Sequence, residues 1–223
     1  MISPLDLLLP PGCALCESTR APICADCLAG LPLLGAAVCA RCAAPTDQPV
    51  ADCRDCRGRR LGFASARSAL HYAGAGRELV HAFKHGGLRG LGVPCAAVMA
   101  LVCGPADADL VTWVPADPWR LIMRGYHPPE LLARELAARA GLPVRATVRA
   151  TSHRAPQRGS DRRARHANVR GAFVAIEPRI AGRVLLVDDV HTTGATLSEC
   201  ARTLLAAGAG EVHAVSLARA ASR

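Results

Sequence analysis

Apolar residues follow different patterns on the two sides of residue 60. Beyond that point, short apolar runs alternate with stretches of helical period, as expected of strands and helices in turn. The predicted strands occupy residues 110–114, 144–148, 184–187 and 211–217. Strands that alternate with helices predict an α/β fold, in which helices flank a parallel sheet and the crossovers are right-handed.

The clearest helical pattern lies at residues 129–140, where leucines recur on one face between a starting proline and Gly141. A second helix is predicted at residues 197–207. Residues 61–72 are typical of an extended entry strand or a hairpin. Residues 150–170 are polar, rich in arginine and without apolar period, which favours a long mobile loop that serves as a lid.

Before residue 60 the chain has no long periodic segment, and cysteines dominate its chemistry. Eight of the 11 cysteines form four C-x-x-C pairs: Cys13/Cys16, Cys24/Cys27, Cys39/Cys42 and Cys53/Cys56. This change of composition predicts two domains, a small cysteine-rich zinc-binding module at residues 1–60 and the sheet domain at residues 61–223.

Zinc is the metal that this pattern favours, because a C-x-x-C turn presents two thiolates to one ion and zinc takes four ligands. Neighbouring pairs give intervals of seven and ten residues, and an interleaved pairing of first with third remains open. Disulfides and redox dithiols are the alternatives, but disulfides need an oxidising compartment and redox pairs sit near βαβ units. Four thiolates leave no open position, so the predicted role is structural.

Charge and hydropathy change this picture little. The net charge of +9 comes almost entirely from arginine, since Lys84 is the single lysine, and alanine, glycine and proline are abundant as well. A GC-rich coding bias produces this mixture whatever the function. No apolar run reaches the roughly 18 residues of a membrane helix, and residues 1–11 lack the features of a signal peptide. We therefore expect a cytoplasmic protein without membrane insertion.

Residues 184–196, VLLVDDVHTTGAT, carry the strongest functional signal. An apolar strand delivers Asp188 and Asp189 to its exposed end, and a helix begins a few residues later. Between them lie threonine hydroxyls and a glycine, which together with the N–H groups of a helix N-terminus form a cradle for an anion. Two acids beside a phosphate pocket imply a partner of another kind, such as ribose hydroxyls or a magnesium ion.

This segment resembles the phosphoribosyl pyrophosphate signature of type I phosphoribosyltransferases, D-D-x-x-T-T-G-x-T after an apolar strand. The resemblance implies that Asp188 and Asp189 bind the ribose hydroxyls and act in catalysis. It also implies that one loop wraps the 5-phosphate, formed by Thr192, Thr193, Gly194, Ala195 and Thr196. With the N-terminal cysteine module, nearly the whole chain is similar to the ComF family of competence and DNA-uptake proteins.

Further matches extend the resemblance. Arg124-Gly125-Tyr126 is similar to the family's R-G-F-N-Q segment, with His127 and Pro128 at the last two positions. The fold so implied places Arg120 and Arg124 at the pyrophosphate. Residues similar to the family's mobile hood are Gln157, Arg165, Asn168, Val169, Gly171 and Phe173, and Lys84 matches a lysine found before the sheet.

The resemblance implies a phosphoribosyltransferase that displaces pyrophosphate from phosphoribosyl pyrophosphate (PRPP), with magnesium neutralising the leaving group and zinc as a structural metal. The acceptor is not readable from the chain. Two alternatives remain: a non-catalytic protein that senses PRPP, and a competence protein that binds single-stranded DNA or other competence proteins. The low aromatic content of 3% weakens the DNA alternative.

Overall fold

The computed structural model describes residues 12–18, 21–103, 108–151 and 169–221. Its strands, in chain order, are β1 (Ser65–His71), β2 (Leu110–Trp113), β3 (Val148–Ala150), β4 (Phe173–Ala175), β5 (Arg183–His191) and β6 (Glu211–Arg219). Four of them form a parallel sheet in the order β1-β6-β5-β2, and β3 pairs with β4 in a small antiparallel sheet. The predicted α/β fold class is confirmed, and the entry segment contributes the edge strand β1.

Helices precede the first strand and lie between the later ones. They are α1 (Ala25–Ala29), α2 (Gly74–His85), α3 (Gly92–Cys103), α4 (Pro118–Arg124), α5 (Pro128–Ala140) and α6 (Ala195–Ala206), with a 3-10 turn at Arg89–Leu91. The helix predicted at residues 129–140 is confirmed as α5, which ends at Gly141 with a left-handed φ of 66°. Within the described parts of the chain, no helix combines the length and the apolar composition needed to cross a bilayer.

The predicted strand at residues 144–148 is divided between two sheets. Val144 forms a parallel bridge with Val111, whose N–H donates to the Pro143 carbonyl at 2.9 Å. The chain then leaves β2, and the Thr147 carbonyl accepts from the Ile176 N–H at 2.8 Å beside β4. The prediction of one continuous strand is therefore wrong, because the backbone pairs first with β2 and then with the segment beside β4.

The parallel sheet is buried on both faces, as its apolar strands predict. One face packs against α2, α3 and α5, with Leu79, Phe83, Met99 and Leu132 fully buried. The other face packs against α6 and the β3–β4 sheet. The carboxyl ends of the parallel strands meet at one edge, which is where ligands bind in open α/β sheets.

Candidate functional site

The twin aspartates are the sixth and seventh of the nine residues of β5. This strand runs to His191 and is thus longer than the predicted apolar run of residues 184–187. Asp188 is half-buried, whereas Asp189 is 8% exposed. The Asp188 carboxylate accepts a hydrogen bond from the Asp189 N–H at 2.8 Å. The two acids therefore lie at the carboxyl end of the sheet and differ in burial.

Lys84 gives the buried acid its partner. Its Nζ lies 2.6 Å from a carboxylate oxygen of Asp189, and the side chains of both residues are mostly shielded from water. The lysine comes from the last turn of α2, which packs on the sheet through Phe83 and Leu79. Because charge-assisted bonds of this length are strong, the pair fixes the Asp189 side chain. The sequence marked Lys84 as the single lysine of an arginine-rich chain and as a match to a family lysine, but did not indicate its partner.

His127 lies between the end of β2 and α5, close to the same acid. Its Nε2 is 2.7 Å from the Val114 carbonyl, so this nitrogen carries the proton and donates. Burial lowers the pKa of His127, although the Val114 carbonyl and the Asp189 charge offset part of the effect. A neutral imidazole therefore stands where the resembling family has a neutral amide.

The five residues of the predicted anion cradle, 192–196, are called the phosphate loop below. The loop joins β5 to α6, and Gly194 caps the helix with a left-handed φ of 73°. Thr192 is exposed, and Thr193 and Thr196 are half-buried. The Ala195 N–H donates to the Thr193 hydroxyl at 3.3 Å. Hydroxyls and helical N–H groups thus come together at one helix N-terminus, the arrangement that suits an anion.

His191 supports this loop from below. Its ring is 2% exposed and packs edge-on against Phe63, with ring centroids 6.0 Å apart. A Cβ added to Gly194 would lie 2.8 Å from the His191 Nε2, so glycine is required there by space as well as by φ. Burial, followed by the charges of Arg219 and Arg59, lowers the pKa of His191 well below its ordinary value. The loop therefore rests on a neutral ring.

The remaining predicted site residues lie on other segments. Arg124 ends α4, a helix that leaves Trp119, Ile122 and Met123 largely exposed, whereas for Arg120 only a place in α4 is described. Both arginines thus lie on a helix that the sequence did not predict. Gln157 and Arg165, with residues 152–168 of the predicted lid, lie outside the described residues, whereas Ala150 at the start of that segment belongs to β3.

The eight paired cysteines form two clusters from neighbouring pairs, and this resolves the pairing that the sequence left open. The first cluster is Cys13, Cys16, Cys24 and Cys27, and the second cluster is Cys39, Cys42, Cys53 and Cys56. Within each cluster the sulfur atoms lie within 4.8 Å of one another.

The sulfur distances fit a tetrahedral metal site. Cys39 and Cys56 have their Sγ atoms 3.5 Å apart, and Cys16 and Cys24 are separated by 3.7 Å. A zinc–sulfur bond of about 2.3 Å implies sulfur separations near 3.8 Å in a tetrahedron, whereas a disulfide requires about 2.05 Å. All eight thiols are free of disulfides. The donor set and its spacing therefore fit structural zinc in both clusters.

Backbone N–H groups lower the pKa of one cysteine thiol in each cluster. Burial opposes the ionisation of Cys13, but N–H donors led by that of Cys24 outweigh it and lower the pKa to about 6. In the second cluster, N–H donors led by that of Cys42 likewise overcome burial and lower the pKa of Cys39 to about 7. Such turns favour the ionised form that binds metal.

Comparison with known proteins matches two separate parts of the chain to domain families. Residues 4–57 match the Double zinc ribbon domain family, and residues 129–223 match the Phosphoribosyl transferase domain family. Over 111 residues the chain is 36% identical to Competence protein F of Haemophilus influenzae. That alignment covers 48% of this chain and 48% of the relative, so the chain spans about half the length of the curated relative that it matches.

Solved structures align more loosely. An allosteric regulatory enzyme of purine biosynthesis is 23% identical, with a TM-score of 0.41 over 58% of this chain and 26% of that chain. Orotate phosphoribosyltransferase from Aeropyrum pernix is 21% identical, with a TM-score of 0.35 over 64% of each chain. The fold class rests on the observed sheet and the family match. The resemblance to the ComF family is thus confirmed: this chain is a homologue of Competence protein F that joins a double zinc ribbon domain to a phosphoribosyl transferase domain.

Proposed function

We propose that the chain binds PRPP with magnesium at the phosphate loop, transfers the ribose 5-phosphate group to an acceptor, and acts in or beside DNA uptake. One observation carries the proposal. Gly194, in the left-handed conformation, opens α6 directly after a strand whose carboxyl end bears Asp188 and Asp189. An anion cradle and two acids therefore meet at the edge of the sheet where ligands of α/β proteins bind.

The loop supplies the 5-phosphate contacts in this proposal. The phosphate would accept hydrogen bonds from the hydroxyls of Thr192, Thr193 and Thr196 and from N–H groups at the start of α6, where Ala195 adds only a methyl group. The helix dipole favours a negative group there by about 0.3–1 kcal/mol. A cradle of this kind holds the phosphate without a metal.

In this proposal the two aspartates bind the ribose. Asp188 and Asp189 accept hydrogen bonds from the ribose hydroxyls, and their charge favours the cationic character that develops at the anomeric carbon as pyrophosphate departs. Lys84 holds Asp189 at 2.6 Å, so this carboxylate is fixed before the sugar arrives. The ammonium also balances one of the two negative charges next to a phosphate site.

The pyrophosphate end is assigned to Arg120 and Arg124, which follow β2 on α4. Magnesium would supply charge neutralisation to the pyrophosphate group. Gln157 and Arg165 keep their proposed place in a hood that closes over the sugar and excludes water. The proposed division of the chain is a zinc module at residues 1–60 and a transferase domain at residues 61–223.

Calorimetry with PRPP and magnesium tests binding. We expect the wild type to bind, and Asp188→Ala/Asp189→Ala to lose about 10-fold or more in affinity because hydrogen bonds to charged groups are removed. The exposed Asp47 provides a matched control, and Asp47→Asn should bind like the wild type. Equal affinity in the double variant and the wild type would refute the site.

Turnover separates a transferase from a sensor of PRPP. The protein is incubated with PRPP, magnesium and a purine, a pyrimidine or an amine acceptor, and released pyrophosphate is measured. Release that requires both an acceptor and Asp188 identifies an enzyme. Binding without release, across these acceptor classes, identifies the sensor.

Binding of single-stranded DNA is the second candidate, and the exposed Trp119 of α4 favours it. This indole is 68% exposed on a chain of net charge +9, and bases stack on such rings. Quenching of Trp fluorescence by oligonucleotides that survives 200 mM salt would support DNA binding, whereas steep loss with salt would show charge attraction alone.

A cytoplasmic location also stays part of the proposal. It is supported by the eight free thiols, which are grouped as metal clusters rather than joined as disulfides.

A further inference from the structure

The second cluster and the phosphate loop are joined by Arg219. This residue ends β6 and is 3% exposed, so its guanidinium is buried between the two. Its Nε donates to the Cys42 carbonyl at 3.1 Å, while Nη1 donates to the His191 carbonyl at 3.2 Å and to the Thr192 carbonyl. The Arg219 side chain therefore hydrogen-bonds both the backbone of Cys42 in the second cluster and the backbone of the phosphate loop.

Arg59 makes a second connection, three residues after the last cysteine of the same cluster. Its Nη2 donates to the Thr193 carbonyl at 3.1 Å. The backbone of Arg59 is held in turn by Arg41, which donates to the Arg59 carbonyl at 2.8 Å and to the Cys56 carbonyl at 3.3 Å. The segment that leaves the second cluster thus reaches the loop through defined bonds.

Together the two arginines hold three consecutive carbonyls, those of residues 191, 192 and 193. A trans peptide is planar and carries its N–H opposite its C=O. Fixing these carbonyls therefore turns the N–H groups of Thr192, Thr193 and Gly194 to the side away from the second cluster. The anion cradle needs those N–H groups on the side where the phosphate lies.

These bonds depend on the folded second cluster, whose small core is built mainly from the four cysteines. A segment of this size folds only when its thiolates close around the metal. Loss of the metal would move the Cys42 carbonyl and the backbone of residue 59, and would leave the guanidinium of Arg219 buried with fewer partners. The first cluster has different neighbours, since Cys13 packs with Ile23 and Leu91 in the core on the helical face.

We propose that Arg219 and Arg59 are positioning residues that make the shape of the phosphate loop, and its affinity for a ribose 5-phosphate group, depend on zinc in the second cluster more than on zinc in the first. The ligand in this inference rests on the proposed function, whereas the coupling between cluster and loop does not. Its test therefore includes a readout without ligand.

The readout without ligand is hydrogen exchange at Ser198, whose N–H donates to the Gly194 carbonyl at 2.8 Å in the first turn of α6. Zinc content is measured on the same full-length samples. Cys42→Ala should lose one zinc and exchange Ser198 about 10-fold faster, because the bonds that order the loop are lost. Cys16→Ala should also lose one zinc, with a clearly smaller effect on Ser198. Equal effects of the two variants would overturn the proposal.

The arginine variants test the connection with both zinc ions retained. Arg59→Gln removes a half-buried side chain, and Arg219→Lys keeps a charge but cannot bond both sides at once. Both should raise Ser198 exchange and weaken binding of ribose 5-phosphate by about 10-fold. Arg145→Gln, which removes an exposed arginine paired with Glu177, should match the wild type. Wild-type exchange in both arginine variants contradicts the coupling even if Cys42→Ala fails to fold.

Failure of the proposed function is distinguishable from failure of this inference. If wild-type protein does not bind ribose 5-phosphate or PRPP, the proposed function is wrong, and the exchange data alone decide the coupling. If binding is seen but Cys42→Ala and Arg59→Gln change neither affinity nor exchange, the coupling is wrong and the proposed function stands.

Discussion

The two cysteine clusters share one motif and differ in what surrounds them. In the first cluster Cys16 is exposed and Cys24 and Cys27 are half-buried, so solvent reaches three of the four ligands. All four ligands of the second cluster are buried. The first packs on the helical face of the sheet through Cys13, and the second packs beside the phosphate loop.

The difference shows that a repeated metal motif need not have a repeated role. Both clusters close a segment that is too short for a core of its own. Among the described residues, hydrogen bonds link the second cluster to the candidate site through Arg219, which bonds the Cys42 carbonyl, and Arg59, which bonds the Thr193 carbonyl. Variants in either cluster, in the loop and on the exposed surface should therefore lower the free energy of unfolding by different amounts.

The largest effect is expected from Cys56→Ala, which opens the buried second cluster. The free energy of unfolding should fall by about 4 kcal/mol, since loss of a structural metal is among the severest changes. Cys16→Ala should cost about half as much, because Cys16 is exposed. Chemical denaturation with zinc present measures both. Cys95→Ala, a buried thiol outside the clusters, is the control and should cost about 1 kcal/mol. A larger loss in Cys16→Ala than in Cys56→Ala would reverse the comparison.

Gly194→Ala should have the next largest effect, about 2–3 kcal/mol, because strain at a φ of 73° adds to a 2.8 Å contact with His191. Gly58→Ala isolates the first contribution: its φ is +74°, and nothing lies within 4 Å of an added Cβ. We expect about 1 kcal/mol there. Thermal unfolding of both variants gives the difference, and equal losses would show that the His191 contact is absent in solution.

Acidification should weaken the loop through His191, which is held neutral with a lowered pKa. The unfolded chain takes up the proton near its ordinary pKa of about 6.5 while the folded chain does not, so stability falls as the pH falls below that value. Between pH 7.5 and 6.0 this histidine contributes a loss of about 0.8 kcal/mol. His191→Gln should remove that part of the pH slope, and the exposed His81→Gln should keep it. An unchanged slope in His191→Gln would assign the pH dependence elsewhere.

Arg145→Gln should have the smallest effect. Its guanidinium bonds Glu177 at 2.7 Å, but the arginine is exposed and the glutamate only half-buried, and pairs near the surface contribute less than about 1 kcal/mol. Denaturation at low and high salt should show a small difference that vanishes with salt. A loss comparable to that of Arg219→Lys would show that burial does not distinguish the two arginines.

Local patterns predicted the elements well where the chain itself marks their ends. Helix α5 begins and ends within one residue of its prediction, because proline and glycine fix both termini. Residues 184–187 located β5, but the strand continues to His191. The helix α4 was missed, since seven residues carry too little period to stand out. The strand at 144–148 failed because its pairing partner changes, which no alternation of apolar residues encodes.

The candidate site divides in the same way. The acids and the phosphate loop are adjacent in sequence, so a strand that turns into a helix necessarily brings them together. Lys84 reaches Asp189 from a helix more than a hundred residues earlier. The sequence marked Lys84 only as a match to a family lysine. The packing of α2 on the sheet showed that its partner is Asp189.

The sequence alone determined the features that reside in short spans: cysteines paired three residues apart, and a candidate anion cradle within five residues. Backbone geometry over so few residues is set locally, so spacing is enough to predict it. Only the tertiary structure decided which cysteine pairs share a cluster, which cluster lies against the loop, and which arginines hold its carbonyls. Those contacts join residues distant in the chain, and they form only when the sheet and its helices pack as a whole.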